Sequence, residues 1–175
     1  MDERKDNATN RTKHRTNVER KSDRELVVTR TFNGPAHIVF EAWTKPELLK
    51  RWWVPKSCGA SFVSCETDAR TGGTYRFVFS HPSSDQPMSF FGKYVEVIPP
   101  SRLVWTNDEG DEGGAVTTVT FEEKRPGETL VVMHDFYPSK KALDDAISSR
   151  STSGTGEQFE QLDQLLVSME AGVGR

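Results

Sequence analysis

The spacing of hydrophobic residues changes twice along this chain, and each change predicts a change of secondary structure. Residues 25–32 combine apolar and β-branched side chains, which predicts a first strand. Apolar side chains then follow a helical spacing over residues 35–53, with Val39 and Trp43 on one helix face. Further along, the spacing falls to two residues, and near the C-terminus it becomes helical again. The predicted order is strand, two short helices, six strands and a long helix.

Turn-forming residues divide the middle of the chain into six predicted strands, at residues 60–67, 74–81, 88–98, 102–107, 116–124 and 128–137. The second of these has the most regular alternation, because Tyr75, Phe77 and Phe79 would share one face. A helical fragment is expected at residues 140–147. The acidic connection at residues 108–114 is expected to be a solvated hairpin loop.

Two segments match the capping box, in which a Thr and a Glu or Gln three residues later satisfy the first backbone amides of a helix. They are residues 44–47 and 155–158. The match predicts Thr44 as the cap of the second short helix and Thr155 as the cap of the final helix.

Six consecutive antiparallel strands need a cover on one face, and only one long helix is available to provide it. We therefore predict an α+β fold in which a curved antiparallel sheet wraps around the C-terminal helix. The two short helices would close one end. An internal cavity would remain wherever the inward side chains do not fill the space.

Composition places the chain among single-domain globular proteins. It has 175 residues, of which 34% are hydrophobic and 28% charged, with a formal net charge of -3. Residues 1–24 are predicted to be a disordered tail because they are almost without apolar side chains, and residues 25–171 to be one domain. A tail that touches RNA or a membrane through its basic residues is the alternative.

Charge and hydropathy also indicate the class of partner. The small net charge predicts no nucleic-acid partner, and no stretch is apolar enough to predict membrane insertion or a secretory signal, so a cytoplasmic location is expected. Cys58 and Cys65 lack the spacing of a metal site or a disulfide framework, so we expect two reduced thiols and no metal or other cofactor. A nucleophilic Cys58 remains open.

Five segments together resemble the SRPBCC superfamily, the helix-grip proteins that include START domains and the birch-pollen allergen fold. They are the Arg-Thr-Phe-Asn-Gly-Pro sequence at residues 30–35, the Trp-rich residues 39–53, Gly-Gly-Thr-Tyr-Arg-Phe at 72–77, and residues 92–106 and 116–121. Within the superfamily, the chain is similar to the proteins homologous to the activator of Hsp90 ATPase, called AHSA1-like. The resemblance covers residues 26–169. Many relatives begin the last helix with a Gly-Trp pair, where this chain has Gln158 and Phe159.

The resemblance implies a helix-grip fold and three candidate functions. The first is binding of a hydrophobic or aromatic small molecule, lipid- or polyketide-like, in a stress-related protein. The second is a protein–protein interaction that stimulates the ATPase of an Hsp90-type chaperone. The third is a cyclase or hydrolase, with His134 as the candidate acid or base.

Aromatic side chains carry the ligand-binding prediction, since small-molecule sites are mostly apolar with a few polar groups. Individually these rings are expected to be core residues, but together they could line a cavity. No nucleophile elbow or phosphate-binding loop is present, and His134 is the only weak candidate for catalysis. The predicted ligand-binding residues are Phe40, Trp43, Trp52, Phe77, Phe79, Phe91, Tyr94, Trp105, His134, Phe136, Phe159 and Leu162.

Overall fold

The computed structural model describes residues 16–108, 114–148 and 155–173, with side chains of the last helix described as far as Met169. Within these ranges the chain forms one sheet, four helices and a short 3-10 turn at Lys56–Cys58. The strands are β1 (Asn17–Arg20), β2 (Glu25–Asn33), β3 (Ser61–Thr67), β4 (Thr74–His81), β5 (Ser84–Ile98), β6 (Arg102–Thr106), β7 (Val116–Arg125) and β8 (Glu128–Phe136). The helices are α1 (Ala36–Thr44), α2 (Pro46–Trp52), α3 (Lys140–Ser148) and α4 (Thr155–Val173).

The eight strands form a single curved antiparallel sheet in the order β1-β2-β8-β7-β6-β5-β4-β3. The α+β helix-grip fold predicted from the sequence is confirmed, with α4 as its long C-terminal helix. The six predicted strands, β3 to β8, pair in sequence order, and β2 lies beside β8 with Leu26 opposite Asp135. This pairing places β2, which precedes the two short helices, next to β8 at the end of the strand series.

The opening strand β1 corrects the predicted tail. Asn17 pairs with Thr29 and Arg20 with Leu26, so the disordered tail predicted over residues 1–24 is wrong for this segment. All four side chains of β1 are exposed. The strand is ordered by backbone hydrogen bonds to the edge of β2, and such bonds leave no hydrophobic pattern in the sequence. Residues 1–15 and the acidic residues 109–113 lie outside the described residues.

Helix α4 covers the inner face of the sheet through a stripe of apolar side chains. Phe159, Leu162 and Leu166 are almost completely buried. Phe159 meets Phe32 of β2 in an edge-to-face contact, with ring centroids 5.4 Å apart. The spacing of these residues at i, i+3 and i+7 is what turns one face of a helix toward a core.

The two short helices meet at Pro46, as the sequence predicts, but the capping there differs. The Thr44 hydroxyl donates to the carbonyls of Phe40 and Glu41, within the last turn of α1, and makes no cap for α2. Thr44 still belongs to α1, so it lacks the extended backbone that an N-cap requires. The helices are joined instead by the Trp52 indole, whose Nε1 donates to the Ala42 carbonyl at 2.9 Å.

Candidate functional site

A cavity of about 640 Å³ lies between the inner face of the sheet, the segment after α2 and the beginning of α4. Its wall is largely aromatic and includes every tryptophan of the chain, and the lining rings are Trp43, Trp52, Trp53, Phe79, Phe90, Trp105, Tyr137 and Phe159. Exposed residues stand at its edge, among them Cys58 and Met88. The space is therefore an apolar chamber that opens to solvent.

A smaller cavity of about 70 Å³ adjoins this chamber. The two share Trp43, Trp53, Phe90 and Trp105 in their walls, and the small one adds Phe77 and Tyr94. Burial raises the pKa of the Tyr94 hydroxyl far above its usual value. Tyr94 therefore remains a neutral hydroxyl at physiological pH.

Five neighbouring strands place one residue each in a single row across the inner face. The pairing partners run from Leu26 to Asp135, Thr117, Trp105 and Tyr94. Side chains at paired positions point to the same face of an antiparallel sheet. The row therefore aligns an apolar residue, a carboxyl, a hydroxyl and two aromatic rings along one side of the cavity.

A chain of hydrogen bonds runs along this row and ends at Asp135. The Tyr75 hydroxyl donates to the Thr106 carbonyl at 2.7 Å and lies 3.4 Å from Asn107 Oδ1. Asn107 Nδ2 donates to Thr117 Oγ1 at 3.2 Å, and Thr117 Oγ1 donates to Asp135 Oδ1 at 2.6 Å. Since the Thr117 oxygen accepts a hydrogen bond from Asn107 Nδ2, the hydroxyl hydrogen of Thr117 is directed to the Asp135 carboxyl. Asp135 Oδ1 is thus held as an acceptor.

The cavity wall gives the Asp135 carboxyl no opposite charge. Among the described residues that line it, none is Lys, Arg or His, and the other titratable groups are Cys58 and Tyr137. Burial raises the pKa of Asp135, while the Thr117 hydrogen bond and the charge of His134, on the outer face of the sheet, act in the opposite direction. Burial beside this carboxyl also raises the pKa of Tyr137 to about 12. Asp135 is partly buried, and its side chain is in contact with the cavity space.

Trp43 is the centre of the aromatic wall. Its ring lies within 6.1 Å, centroid to centroid, of Trp52, Trp53 and Trp105, and also contacts Phe121 and Phe159. The buried Nε1 hydrogen of Trp43 has no nitrogen or oxygen acceptor among the described residues. Aromatic faces surround it, and these accept N–H groups only weakly.

Polar side chains of α4 form hydrogen bonds with the backbone of residues 52–57, which form the cavity edge. Gln161 accepts a hydrogen bond from the Lys56 amide at 2.8 Å and donates to the carbonyls of Trp52 and Val54. Glu157 accepts from the Ser57 amide at 2.9 Å, and Gln158 donates to the Trp53 carbonyl. Gln158 thus also links the start of α4 to the end of α2.

Seven of the predicted ligand-binding residues line one of the two cavities: Trp43, Trp52, Phe77, Phe79, Tyr94, Trp105 and Phe159. Phe40 and Leu162 are buried in the core and line neither cavity. Phe40 packs edge-to-face against Phe121. The structure thus brings most of the predicted aromatic set together around one space.

Three predicted site residues line neither cavity, because their side chains lie on the outer face of the sheet. His134 lies on the outer face of the sheet, where its Nε2 is 3.0 Å from the Glu25 carboxylate, so it is not placed to act in the cavity. Phe136 shares that face and lies under the Arg24 guanidinium. Phe91 is 43% exposed, whereas its neighbour Phe90 lines both cavities. A shift of one residue along a strand reverses the face, and this shift accounts for all three errors.

Sequence reasoning missed the polar residues of the row. Asp135 was noted beside His134, but the adjacent apolar residues of β8 gave no basis for choosing its face. Asn107 directly follows β6 and Thr117 is the second residue of β7, so both resembled ordinary strand-end residues. The signal that would have identified them is the strand pairing, which requires the tertiary structure.

The described residues contain no cluster of three or more His, Cys, Asp or Glu side chains that could hold a metal ion. None of the described helices has the length and apolar character needed to cross a membrane.

Comparisons with known proteins agree with this fold. The family model described as activator of Hsp90 ATPase homolog 1-like protein matches residues 33–167. The chain belongs to this AHSA1-like family. The predicted resemblance is thereby confirmed, and with it membership of the SRPBCC superfamily.

Solved structures with the same fold come from several bacteria. A Rhodobacter sphaeroides protein has a TM-score of 0.80 at 23% identity, over 87% of this chain and 99% of that chain. A Staphylococcus epidermidis protein has a TM-score of 0.73 at 27% identity, over 87% and 94%. An AHSA1-like protein from Aeromonas hydrophila has a TM-score of 0.64 at 17% identity, over 82% and 94%. The comparison with curated proteins gives no match.

Proposed function

We propose that this AHSA1-like protein binds a hydrophobic or aromatic small molecule in the cavity between the sheet and α4. The observation that carries the proposal is the chamber of about 640 Å³ whose wall contains all four tryptophans. Its size falls within the range of about 300–1,000 Å³ that is usual for ligand sites.

The energetics favour an apolar guest. Each Å² of apolar surface that the guest removes from water contributes roughly 25 cal/mol. The aromatic wall offers edge and face contacts, and the Asn107–Thr117–Asp135 chain supplies a few polar atoms to orient the guest. A mostly apolar wall with few polar groups is the usual composition of small-molecule sites.

Tryptophan fluorescence provides a direct test, because every tryptophan lines the cavity. A panel of fatty acids, flavonoids and aromatic polyketides should contain compounds that change the emission saturably and shift the NMR signals of Trp105 and Phe79. Ala60→Phe, which adds volume at a lining position, should weaken binding of each such compound at least several-fold. Val63→Phe, on an exposed strand position, should not.

A panel that leaves both the emission and the NMR signals unchanged would contradict ligand binding. Equal binding by the Ala60→Phe and Val63→Phe variants would show that the bound compounds occupy some other surface.

A second candidate is stimulation of an Hsp90-type ATPase, and the family description is the observation that favours it. The test is the ATPase rate of the Hsp90 from the same organism with and without this protein. A concentration-dependent rise in rate would support the role, and an unchanged rate with no detectable complex would exclude it.

A further inference from the structure

We infer that the cavity selects an amphipathic amine, whose protonated nitrogen pairs with Asp135 and whose apolar body extends toward Trp105. The inference rests on the proposed ligand-binding function and adds the chemical class of the ligand.

The first step is the position of the carboxyl. Asp135 lines the apolar chamber, and the side chain of Thr117 holds its Oδ1 at 2.6 Å. No described residue donates a hydrogen bond to Asp135 Oδ2. One oxygen is therefore fixed by the protein, and the other is left for a donor that enters the cavity.

The second step is the direction of the hydrogen bonds. Asn107 Nδ2 donates to the Ala115 carbonyl at 2.6 Å and to Thr117 Oγ1, so the Asn107 side chain is locked in one orientation. Thr117 must then direct its only hydrogen to Asp135. An arrangement in which every donor is directed toward the carboxyl stabilises its ionised form as an acceptor.

The third step is the missing countercharge. A buried carboxylate is normally paired with a cation, because desolvation without a partner is costly. The cavity wall described here contains no Lys, Arg or His. His134, the adjacent residue on β8, is on the outer face and is engaged by Glu25. A protonated amine supplied by the ligand would provide the positive charge that the described cavity wall lacks.

The fourth step is the shape of the ligand. Trp105 lies in the same row as Asp135, two strands away across Thr117. Neighbouring strands are about 4.8 Å apart, so the two side chains are separated by roughly 10 Å across the sheet. A molecule with a nitrogen at one end and a ring or short alkyl chain at the other spans this distance.

The aromatic wall is compatible with such a ligand on physical grounds. Indole faces attract cations through their quadrupole, and apolar groups pack on them equally well. An anionic ligand would instead place its charge beside Asp135 in a poorly solvated space. The cavity therefore discriminates by charge at one end and by apolar surface along the rest.

Binding of the amine would also be linked to pH. Burial raises the pKa of the free carboxyl, whereas the Thr117 hydrogen bond and the charge of His134 lower it. A bound ammonium group pairs with the ionised form of the carboxyl only. Amine affinity should therefore fall as pH decreases through the pKa of Asp135. Cys58 and Tyr137 are the other titratable groups of the described cavity wall, and His134 acts on the Asp135 charge from the outer face of the sheet.

The test uses three probes that differ only at one end: phenylbutylamine, phenylbutanol and phenylbutyrate. We expect the wild-type protein to bind the amine at least about tenfold more tightly than the alcohol, because hydrogen bonds to charged groups are worth more than neutral ones. The carboxylate should bind most weakly. Asp135→Asn, which keeps an acceptor for Thr117, should reduce amine affinity to that of the alcohol and leave alcohol affinity unchanged.

Glu25→Gln is the matched control, since it neutralises a carboxyl on the outer face and should change none of the three affinities. On the wild-type protein, lowering the pH should weaken binding of the amine and leave binding of the alcohol unchanged, because only the amine needs the ionised carboxyl. This measurement on the wild-type protein keeps the inference testable if Asp135→Asn does not fold.

The outcomes distinguish failure of the amine inference from failure of the proposed cavity function. Equal binding of amine and alcohol would overturn the amine inference while the cavity function stands. Tightest binding of the carboxylate would overturn it too, because Asp135 would then act as a neutral donor. If none of the three probes binds and no compound of the ligand panel changes the tryptophan emission or the NMR signals, the cavity function itself is overturned.

Discussion

The guanidinium of Arg30 donates a hydrogen bond to the Glu160 carboxylate at 2.8 Å, and this pair joins β2 to α4 across the inner face of the sheet. Only 2% of the Arg30 side chain is exposed, whereas Glu160 is 61% exposed. Asp163 of α4 lies 3.6 Å from the second terminal nitrogen. A buried guanidinium with two acidic neighbours on one helix fixes where α4 sits over the sheet.

Loss of this guanidinium should destabilise the fold. We expect Arg30→Ala to lower the free energy of unfolding by about 2–4 kcal/mol, because it removes buried packing and leaves Asp163 without its cation. Glu160→Gln should cost less than about 1 kcal/mol, since that carboxylate is mostly solvated. Urea denaturation measures both. Equal costs for the two variants would contradict a role specific to the buried guanidinium.

Gly92 is required by the crowding of the sheet at the end of the cavity. A Cβ atom there would lie 2.0 Å from the Thr106 carbonyl oxygen and 2.9 Å from the Tyr75 ring. Gly92→Ala should therefore lower the free energy of unfolding by more than about 2 kcal/mol, since backbone must move. Gly156→Ala is the matched control: its Cβ meets nothing within 4 Å, and in a helix the change should be neutral or stabilising.

Gln161 should control the order of the segment at the cavity edge. Gln161→Ala removes three hydrogen bonds of a buried side chain, and we expect a loss of about 2–3 kcal/mol in stability. Amide hydrogen exchange should show lost protection at Lys56, whose N–H donates to this side chain. Gln164→Ala, on an exposed position of the same helix, should leave that amide unchanged.

The two thiols should react at very different rates. Cys58 is exposed at the cavity edge, whereas Cys65 is buried, and burial raises the pKa of Cys65 to about 11. A thiol reagent at pH 8 should modify one cysteine quickly and the second only after unfolding. Cys58→Ser should abolish the fast reaction. A bound cavity ligand should slow it, because Cys58 is part of the lining.

The Glu25–His134 pair should give the protein a local dependence on acid. The hydrogen bond from His134 lowers the pKa of the Glu25 carboxyl below its ordinary value of 4.5. Its stabilising effect is therefore complete above that value and is lost as pH falls through the lowered pKa. NMR titration should show the Glu25 pKa rising in His134→Leu. An unchanged pKa would mean that the contact does not persist in solution.

Local sequence patterns predicted the elements of this fold well. The limits of β4 match the prediction, and helix α3 was expected at nearly its observed place. The aromatic residues of α1 and β4 were correctly assigned to the interior because their spacing has a clear phase. β1 was missed because its order comes from backbone pairing with β2 rather than from buried side chains.

The site was predicted less completely, and β8 shows why. It carries apolar residues at consecutive positions from Leu130 to Met133, so alternation does not indicate which of His134 and Asp135 faces inward. The same ambiguity affects Phe90 and Phe91 on β5. In both strands the face is set by pairing partners that lie far away in the sequence.

Periodicity and residue type, which act over a few neighbouring positions, were thus sufficient to predict the order of elements from β2 onward and the wrapped sheet, while five sequence segments carried the resemblance to the family. The tertiary structure alone decided that a chamber remains open and that Asp135 enters it. The reason is physical: a cavity and the groups that line it are properties of what distant strands bring together, and Leu26, Asp135, Thr117 and Trp105 become neighbours only when the sheet forms.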